Sequence, residues 1–364
     1  MSDTASYASA GVDVEAGERA VDLMRSAIAK ASRPEVVGDF GGFAGLFDVS
    51  AAKEMKRPIL ATSTDGVGTK IDIARRMDIH DTVGIDLVAM VVDDLVVCGA
   101  QPLFMTDYIA VGKVHPERVA SIVTGIARGC EMAGCALVGG ETAEHPGLLG
   151  VDDYDIAGAG TGLVDADQLL GPTRVRVGDV AIAIGSSGLH SNGYSLARHI
   201  AFSMNGLDVE TYIPEFERTL GEEFLEPTRI YTKDLLALIE QCDVHSISHI
   251  TGGGIAANVA RVMPVDTSLS IDRSTWNPQA VFRYLMKRGN VARHEAERTF
   301  NMGIGMMAFV HAEHADGAIA LLKARGLHAW ACGIVRKRQE ADVQDAPAKG
   351  GNGGAVSLLG EYAE

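Results

Sequence analysis

The chain carries no C-x-x-C pair, no P-loop, no basic excess and no long apolar run. Each absence narrows the field. The five cysteines, Cys98, Cys130, Cys135, Cys242 and Cys332, are odd in number, which suits free thiols in a reducing compartment. No uninterrupted apolar stretch reaches the ~18 residues of a membrane span. The longest, around Leu87 to Val97, is broken by Asp93 and Asp94. The opening MSDTASYASAG lacks the basic and apolar regions of a secretion signal. A cytoplasmic location is expected. The net charge of −16 argues against a nucleic-acid surface. It leaves room for a nucleotide, because a divalent cation bridges carboxylates and phosphates. There is no G-x-x-x-x-G-K-[ST] and no kinase signature. The hydrolase elbow G-x-S-x-G fails at Leu189, and HEAER at His294 lacks the second histidine of a zinc protease.

What is present is length and glycine. The 364 residues exceed twice the ~150 expected per domain, so two domains are expected. The 42 glycines follow no collagen-like period, which implies many loops whose backbone approaches a ligand or another chain. The stretch PILATSTDGVGTK opens with a β-favouring run, Ile59 to Ser63. It then turns to Thr64, Asp65, Gly66, Gly68, Thr69 and Lys70. One loop thus offers a carboxylate, bare amides, hydroxyls and an ammonium, the inventory for a metal-bound polyphosphate. The competing reading is a glycine turn with solvated charges.

Apolar spacing predicts a helix from Glu15 to Ala31, and a glycine-rich lid, GDFGGFAGLF, containing Phe40, Gly41, Gly42 and Phe43. A further helix is expected from Asp81 to Gly99 with Asp93 and Asp94 inside it. An unpaired buried carboxylate is costly, so at least one of the two should face a cation or a polar cleft. The strand Leu103 to Val111 is interrupted by Asp107. Ala136 to Val138 runs into Gly139, Gly140 and Glu141, a second strand ending in glycines and an acid. The small residues of Tyr154 to Val164 allow close packing on another strand or subunit.

A break near Gly171-Pro172 divides the chain into residues 1–170, 171–340 and a tail, 341–364, expected to be disordered. In the second part, GSSGLHSNGYSL places Ser187, His190, Ser191 and Asn192 before a helix, a plausible anion loop. His245 and His249 share a strand face, as structural residues or metal ligands. TGGGIAANVA matches a dinucleotide fingerprint, but its acidic partner is ill placed. The three acids Asp65, Asp94 and Glu141 with two phosphate-friendly loops suit an enzyme that uses Mg²⁺-ATP on a phosphorylated small molecule, in a cleft between two α/β domains.

The motifs RPEVVGDFGGFAGLF, STDGVGTK, HDTVGIDLVAM, DLVVCGAQPLF, LVGGETAE, YDIAGAGTG, GSSGLHSNGYSL, HITGGG and RTFNMGIGM run in this order. Together they resemble the phosphoribosylformylglycinamidine cyclo-ligase (aminoimidazole ribonucleotide synthetase) family, from about Tyr7 to Val335. Asp93 departs from the asparagine expected in many relatives. The resemblance implies two α/β domains (α+β type) with mixed sheets flanked by helices, and a homodimer joined through the N-terminal-domain sheets. It implies ATP-dependent ring closure in purine biosynthesis, by phosphorylation of the amide oxygen of formylglycinamidine ribonucleotide. On that pattern Asp65, Asp94 and Glu141 would hold Mg²⁺. Thr64, Gly66, Gly68, Thr69 and Lys70 would steady phosphates. Ser187, His190, Ser191 and Asn192 would meet the substrate or move a proton, and Gly41–Gly42 would close over the site. Related synthetases and kinases of the superfamily, or a regulator that has lost catalysis, are the rivals.

Overall fold

A computed structural model describes residues 13–38 and 41–364. Phe40 of the expected lid lies outside the described residues. Contacts divide the chain into two compact units. One holds the chain up to Leu95 together with Gln101–Ala166, and the other holds Val96–Ala100 together with Asp167–Glu364. The short piece belongs to the second unit because Val96 sits in that unit's apolar core and Leu170 N donates to Cys98 O.

The first unit is built on four strands: β1 (Pro58–Gly66), β2 (Gln101–Val111), β3 (Ala136–Glu144) and β4 (Tyr154–Asp165). Their order is β1-β4-β2-β3, antiparallel except for the β2–β3 pair. Both strands read as ending at glycine and acid run further: Asp65 and Gly66 are still in β1, and Glu141 is in the middle of β3. The helix α1 (Val14–Lys30) is capped by the Asp13 side chain and buries Ala20, Met24 and Ile28, one per turn. Three more helices follow, α2 (Ile71–Met77), α3 (Asp81–Val96) and α4 (Pro116–Ala133).

The glycine-rich β4 is central in the sheet, and its small residues seat a helix. A Cβ at Gly158 would lie 3.3 Å from Leu87 Cγ, and one at Gly160 would lie 2.7 Å from Val91 Cγ1, both on α3. The sheet therefore buries one face under α3. Its other face leaves Leu60 66% and Tyr108 41% exposed, with Thr62 and Thr64 also open.

The second unit carries six strands: β5 (Val180–Gly185), β6 (Val244–His249), β7 (Thr267–Asp272), β8 (Ile304–Val310), β9 (Ala329–Lys337) and β10 (Ala355–Leu359). Their order is β6-β8-β5-β9-β7-β10, antiparallel except for β7–β10. Buried β8 has no polar alternation because it lies inside the sheet and under helices.

The expectation of a disordered tail is corrected by β10. Ala355, Val356 and Leu358 are buried beside β7. Arg273 donates to Leu358 O at 2.6 Å and forms a bidentate pair with Glu297 at 2.7 and 2.8 Å. Tyr362 donates to Glu297 Oε1 at 2.8 Å. The last of the glycines of 350–354 are docked as well, Gly354 N donating to Ala260 O at 3.1 Å, and the short run AVSLL supplies the apolar burial that orders the strand.

Candidate active site

In the first unit, β1 delivers Asp65 and the chain then tightens. Gly68–Lys70 form a single 3₁₀ turn, with Gly68 at φ 56°, before α2 begins. Thr64, Gly68 and Thr69 stay on the surface. Gly66 is half-buried, and its N–H donates to Asp65 Oδ1 at 2.7 Å. Lys70 goes the other way. It is fully buried, and its Nζ meets Asp86 Oδ1 of α3 at 2.8 Å, with both side chains 0% exposed. Its charge holds the turn onto α3 rather than standing on the surface with the amides.

The sheet register sorts the acids. Asp65 lies opposite Gly158, Gly158 opposite Asp107, and Asp107 opposite Gly140. This row shares the face that Gly158 turns toward α3. Glu141 pairs with Tyr108, one residue on, and so takes the opposite face. On α3, Asp93 is buried and Asp94 is half-buried, so Asp94 is the more accessible of the two. Among the described residues, no group of three His, Cys, Asp or Glu side chains stands close enough to cage a metal ion.

Asp107, noted in the sequence only as an interruption of its strand, is the acid that received no site role there. It retains partial exposure, yet burial pushes its carboxyl up to about 7. A Cβ at Gly140 would come within 2.5 Å of Asp107 Oδ1, so glycine there is what gives the carboxyl room. The signal was an acid in the middle of the apolar strand LFMTDYIAV. A carboxyl that titrates near neutrality is equipped to move protons.

The lid glycines sit in a hairpin loop. Val36–Val37 pairs antiparallel with Leu46–Phe47, and Gly41, Gly42 and Phe43 are exposed. Phe47 anchors the base by packing on Phe104 at 5.3 Å.

In the second unit the polar side chains of the expected anion loop bond to neighbouring backbone and side chains of the same unit. Ser187 Oγ donates to Pro227 O at 2.7 Å and accepts from Arg229 N at 3.2 Å. Ser191 Oγ meets Thr228 Oγ1 at 3.1 Å. Asn192 Oδ1 accepts from Gly252 N at 2.9 Å. His190 is 1% exposed, sits at φ 62°, and accepts from Ser187 N at 3.2 Å. The following helix, Tyr194–Arg198, runs on directly as a π-helix through Met204, and no side chain caps its start at Gly193. Here the serines, histidine and asparagine tie three loops together.

The other sequence motifs resolve as structure. His245 is buried between Asp179 at 2.7 Å and Asp243 at 3.2 Å. In the dinucleotide-like turn, a Cβ at Gly254 would lie 1.7 Å from Glu297 O, so that backbone is packed against protein.

Asp107 generates a pH prediction. Its folded value lies above the ordinary carboxylate value, so the folded state holds this proton more tightly. The resulting stability is fully present below about pH 4 and is lost as pH rises toward about 7. Asp107→Asn is therefore expected to gain stability relative to the native chain as pH rises through that window, then to level off. Urea melts at several pH values check this; a difference that does not vary with pH contradicts it.

Two family models match the chain: AIR synthase related protein, N-terminal domain, over residues 48–164, and AIR synthase related protein, C-terminal domain, over residues 176–346. Phosphoribosylformylglycinamidine cyclo-ligase of Trichlorobacter lovleyi is 49% identical over 340 residues, covering 93% of this chain and 97% of the relative. Among solved structures, thiamine-monophosphate kinase of Stenotrophomonas maltophilia aligns with a TM-score of 0.63 at 18% identity, over 95% of this chain and 97% of that one. Hydrogenase maturation protein HypE in complex with ATP aligns with a TM-score of 0.62 at 18% identity, over 94% and 90%. These two likenesses speak for the fold alone. The identity along nearly the whole length of the curated relative settles the family: the chain belongs to the phosphoribosylformylglycinamidine cyclo-ligases.

Proposed function

We propose that the chain closes the imidazole ring of aminoimidazole ribonucleotide from formylglycinamidine ribonucleotide, converting ATP to ADP and phosphate. The observation that carries this reading is the 49% identity over 97% of the cyclo-ligase relative. The γ-phosphoryl group passes to the amide oxygen of the substrate, which turns that oxygen into a leaving group. The amidine nitrogen then attacks the same carbon, the carbon–oxygen bond breaks, and phosphate departs with one proton lost from nitrogen.

The magnesium ion belongs to the substrate, carried on the triphosphate. Such an ion keeps several waters and needs only one or two protein carboxylates, so a pre-formed cage is not required. We assign those contacts to Asp65 and Asp94. Glu141, on the opposite sheet face, serves the ion only if the nucleotide site is shared between copies. Gly66, Gly68 and Thr69 form the phosphate rim, which Thr64, on the same sheet face as Glu141, joins only under the same condition. Lys70 positions that rim through Asp86. Asp107, roughly 10 Å from Asp65 across one intervening strand, is suited to take the proton released on closure. His190, with Ser187, Ser191 and Asn192, shapes the second unit's loop. The Gly41–Gly42 hairpin shields the reacting groups from water.

The uncovered face of the first-unit sheet suits a second copy. Leu60, Thr62, Thr64 and Tyr108 are exposed there on a surface of small and apolar residues. Five free cysteines suit a reducing cytoplasm.

Two measurements test this. ADP release is expected only when ATP and formylglycinamidine ribonucleotide are both present, and Asp65→Ala is expected to lower it by about 10²–10³. ADP release without the ribonucleotide, or a fully active Asp65→Ala, would remove the assignment. Sedimentation is expected to give a dimer that Leu60→Arg splits; a monomeric native chain rules the sheet-to-sheet pairing out.

A further inference from the structure

The second unit also holds a cavity of about 460 Å³. Its walls include Arg273, Arg293, His294, Glu297, Arg298 and Asp345. Most of these stand on the short helix Arg293–Thr299, and Asp345 comes from the C-terminal segment. Three arginines and a histidine around one space stand out in a chain with 48 Asp and Glu against 32 Lys and Arg. A further cation is close by. Lys349 lies beside Gly253 of the same wall, and its Nζ donates to Thr251 Oγ1 at 3.3 Å.

The wall carboxylates are already engaged. Glu297 takes Arg273 through both oxygens, at 2.7 and 2.8 Å, and its Oε1 also accepts from Tyr362. Asp345 Oδ2 accepts from Leu358 N at 2.7 Å. Arg293 pairs with Glu361 at the surface, where an ion pair contributes little and yields to a stronger anion. Arg298 and His294 remain. Both are exposed, and neither has a hydrogen bond or ion pair among the described residues. The cavity therefore carries donors and positive charge that its own acids do not use. Its remaining wall is apolar, from Ala256, Ala346 and Leu358. The volume falls within the roughly 300–1,000 Å³ of small-molecule pockets.

We propose that this cavity binds the phosphate of a small phosphorylated sugar. The guanidinium of Arg298 forks onto two phosphate oxygens and His294 donates to a third. Arg293 joins them by leaving Glu361, and the body of the ligand lies on Ala256, Ala346 and Leu358. A phosphate suits this wall better than a carboxylate, because a dianion with three terminal oxygens uses more of the available N–H groups. Two sources carry this chemistry: a free sugar phosphate, and the ribose phosphate of the substrate proposed above. The second source rests on that reading of function; the first does not.

Calorimetry on the intact protein tests this without ATP. Ribose 5-phosphate and, separately, formylglycinamidine ribonucleotide are the probes, and at least one is expected to bind saturably. Ribose, which lacks the phosphate, is expected not to bind. Arg298→Gln and His294→Gln, each checked by thermal melting, are expected to weaken binding, the first at least about tenfold. Arg298→Lys, which keeps the charge and loses the fork, is expected to fall between Arg298→Gln and the native chain. Arg19→Gln, at an exposed arginine of the first unit, is the control and is expected to bind as the native chain does. If the ribonucleotide is the ligand, Arg298→Gln raises its KM; if a free sugar phosphate is, that KM holds and only the ribose 5-phosphate titration weakens. Silence from both probes, ribose binding as tightly as its phosphate, full affinity in Arg298→Gln, or an equal loss in Arg19→Gln overturns the proposal. The titrations need no turnover, so their failure is separate from a failure of the ADP assay.

Discussion

A lysine and an aspartate with no exposure to water are the constraint on which the first unit depends. Lys70 and Asp86 meet at 2.8 Å, both wholly buried. Desolvating either charge alone costs several kcal/mol, and the pair tolerates burial only when both partners are in place. Asp86 belongs to α3 and Lys70 closes the turn after β1. The pair therefore clamps the Gly68–Lys70 turn to the helix that lies over the sheet. The helix in turn is seated by Gly158 and Gly160 of β4. Gly158 also stands between Asp65 and Asp107 in the row, and Gly140 gives Asp107 its room. Clamp, helix seat and acidic row are one arrangement, each part depending on the next.

The second unit follows a different logic. Its polar loop is closed upon itself: Ser187, Ser191 and Asn192 each bond to another loop of the same unit. Such a network gives rigidity. Unsatisfied capacity in the same unit remains at buried Arg229 Nε and Gln279 Oε1.

Much of the architecture was legible because apolar periodicity reports burial directly. The predicted helix of Glu15 to Ala31 is α1, Val14–Lys30, and the apolar run from Asp81 is α3. The motif order carried the family. What was not legible depends on register and on partners distant in sequence. Composition marked β3 as ending before Glu141, whereas pairing with β2 carries it through and turns Glu141 to the far face. The burial of Lys70 was not legible because its partner Asp86 lies sixteen residues on. The bonds of Ser187 to Pro227 and of Ser191 to Thr228 were hidden for the same reason. The tail read as disordered because its glycines outweighed five strand residues whose partner, β7, lies far upstream. Asp107 was visible as an anomaly, but only the sheet revealed its burial beside Gly140.

The most direct test of the clamp is a double-mutant cycle on Lys70 and Asp86, followed by denaturant melts and ADP formation. Lys70→Met and Asp86→Leu alone should each lose about 3–5 kcal/mol of stability, because each strands a buried charge. The double variant, with apolar groups of similar size in both places, should recover most of that loss and retain ADP formation. A double variant that is stable but as inactive as Lys70→Met alone would contradict the account, since it would show that the lysine acts on the nucleotide rather than on the turn.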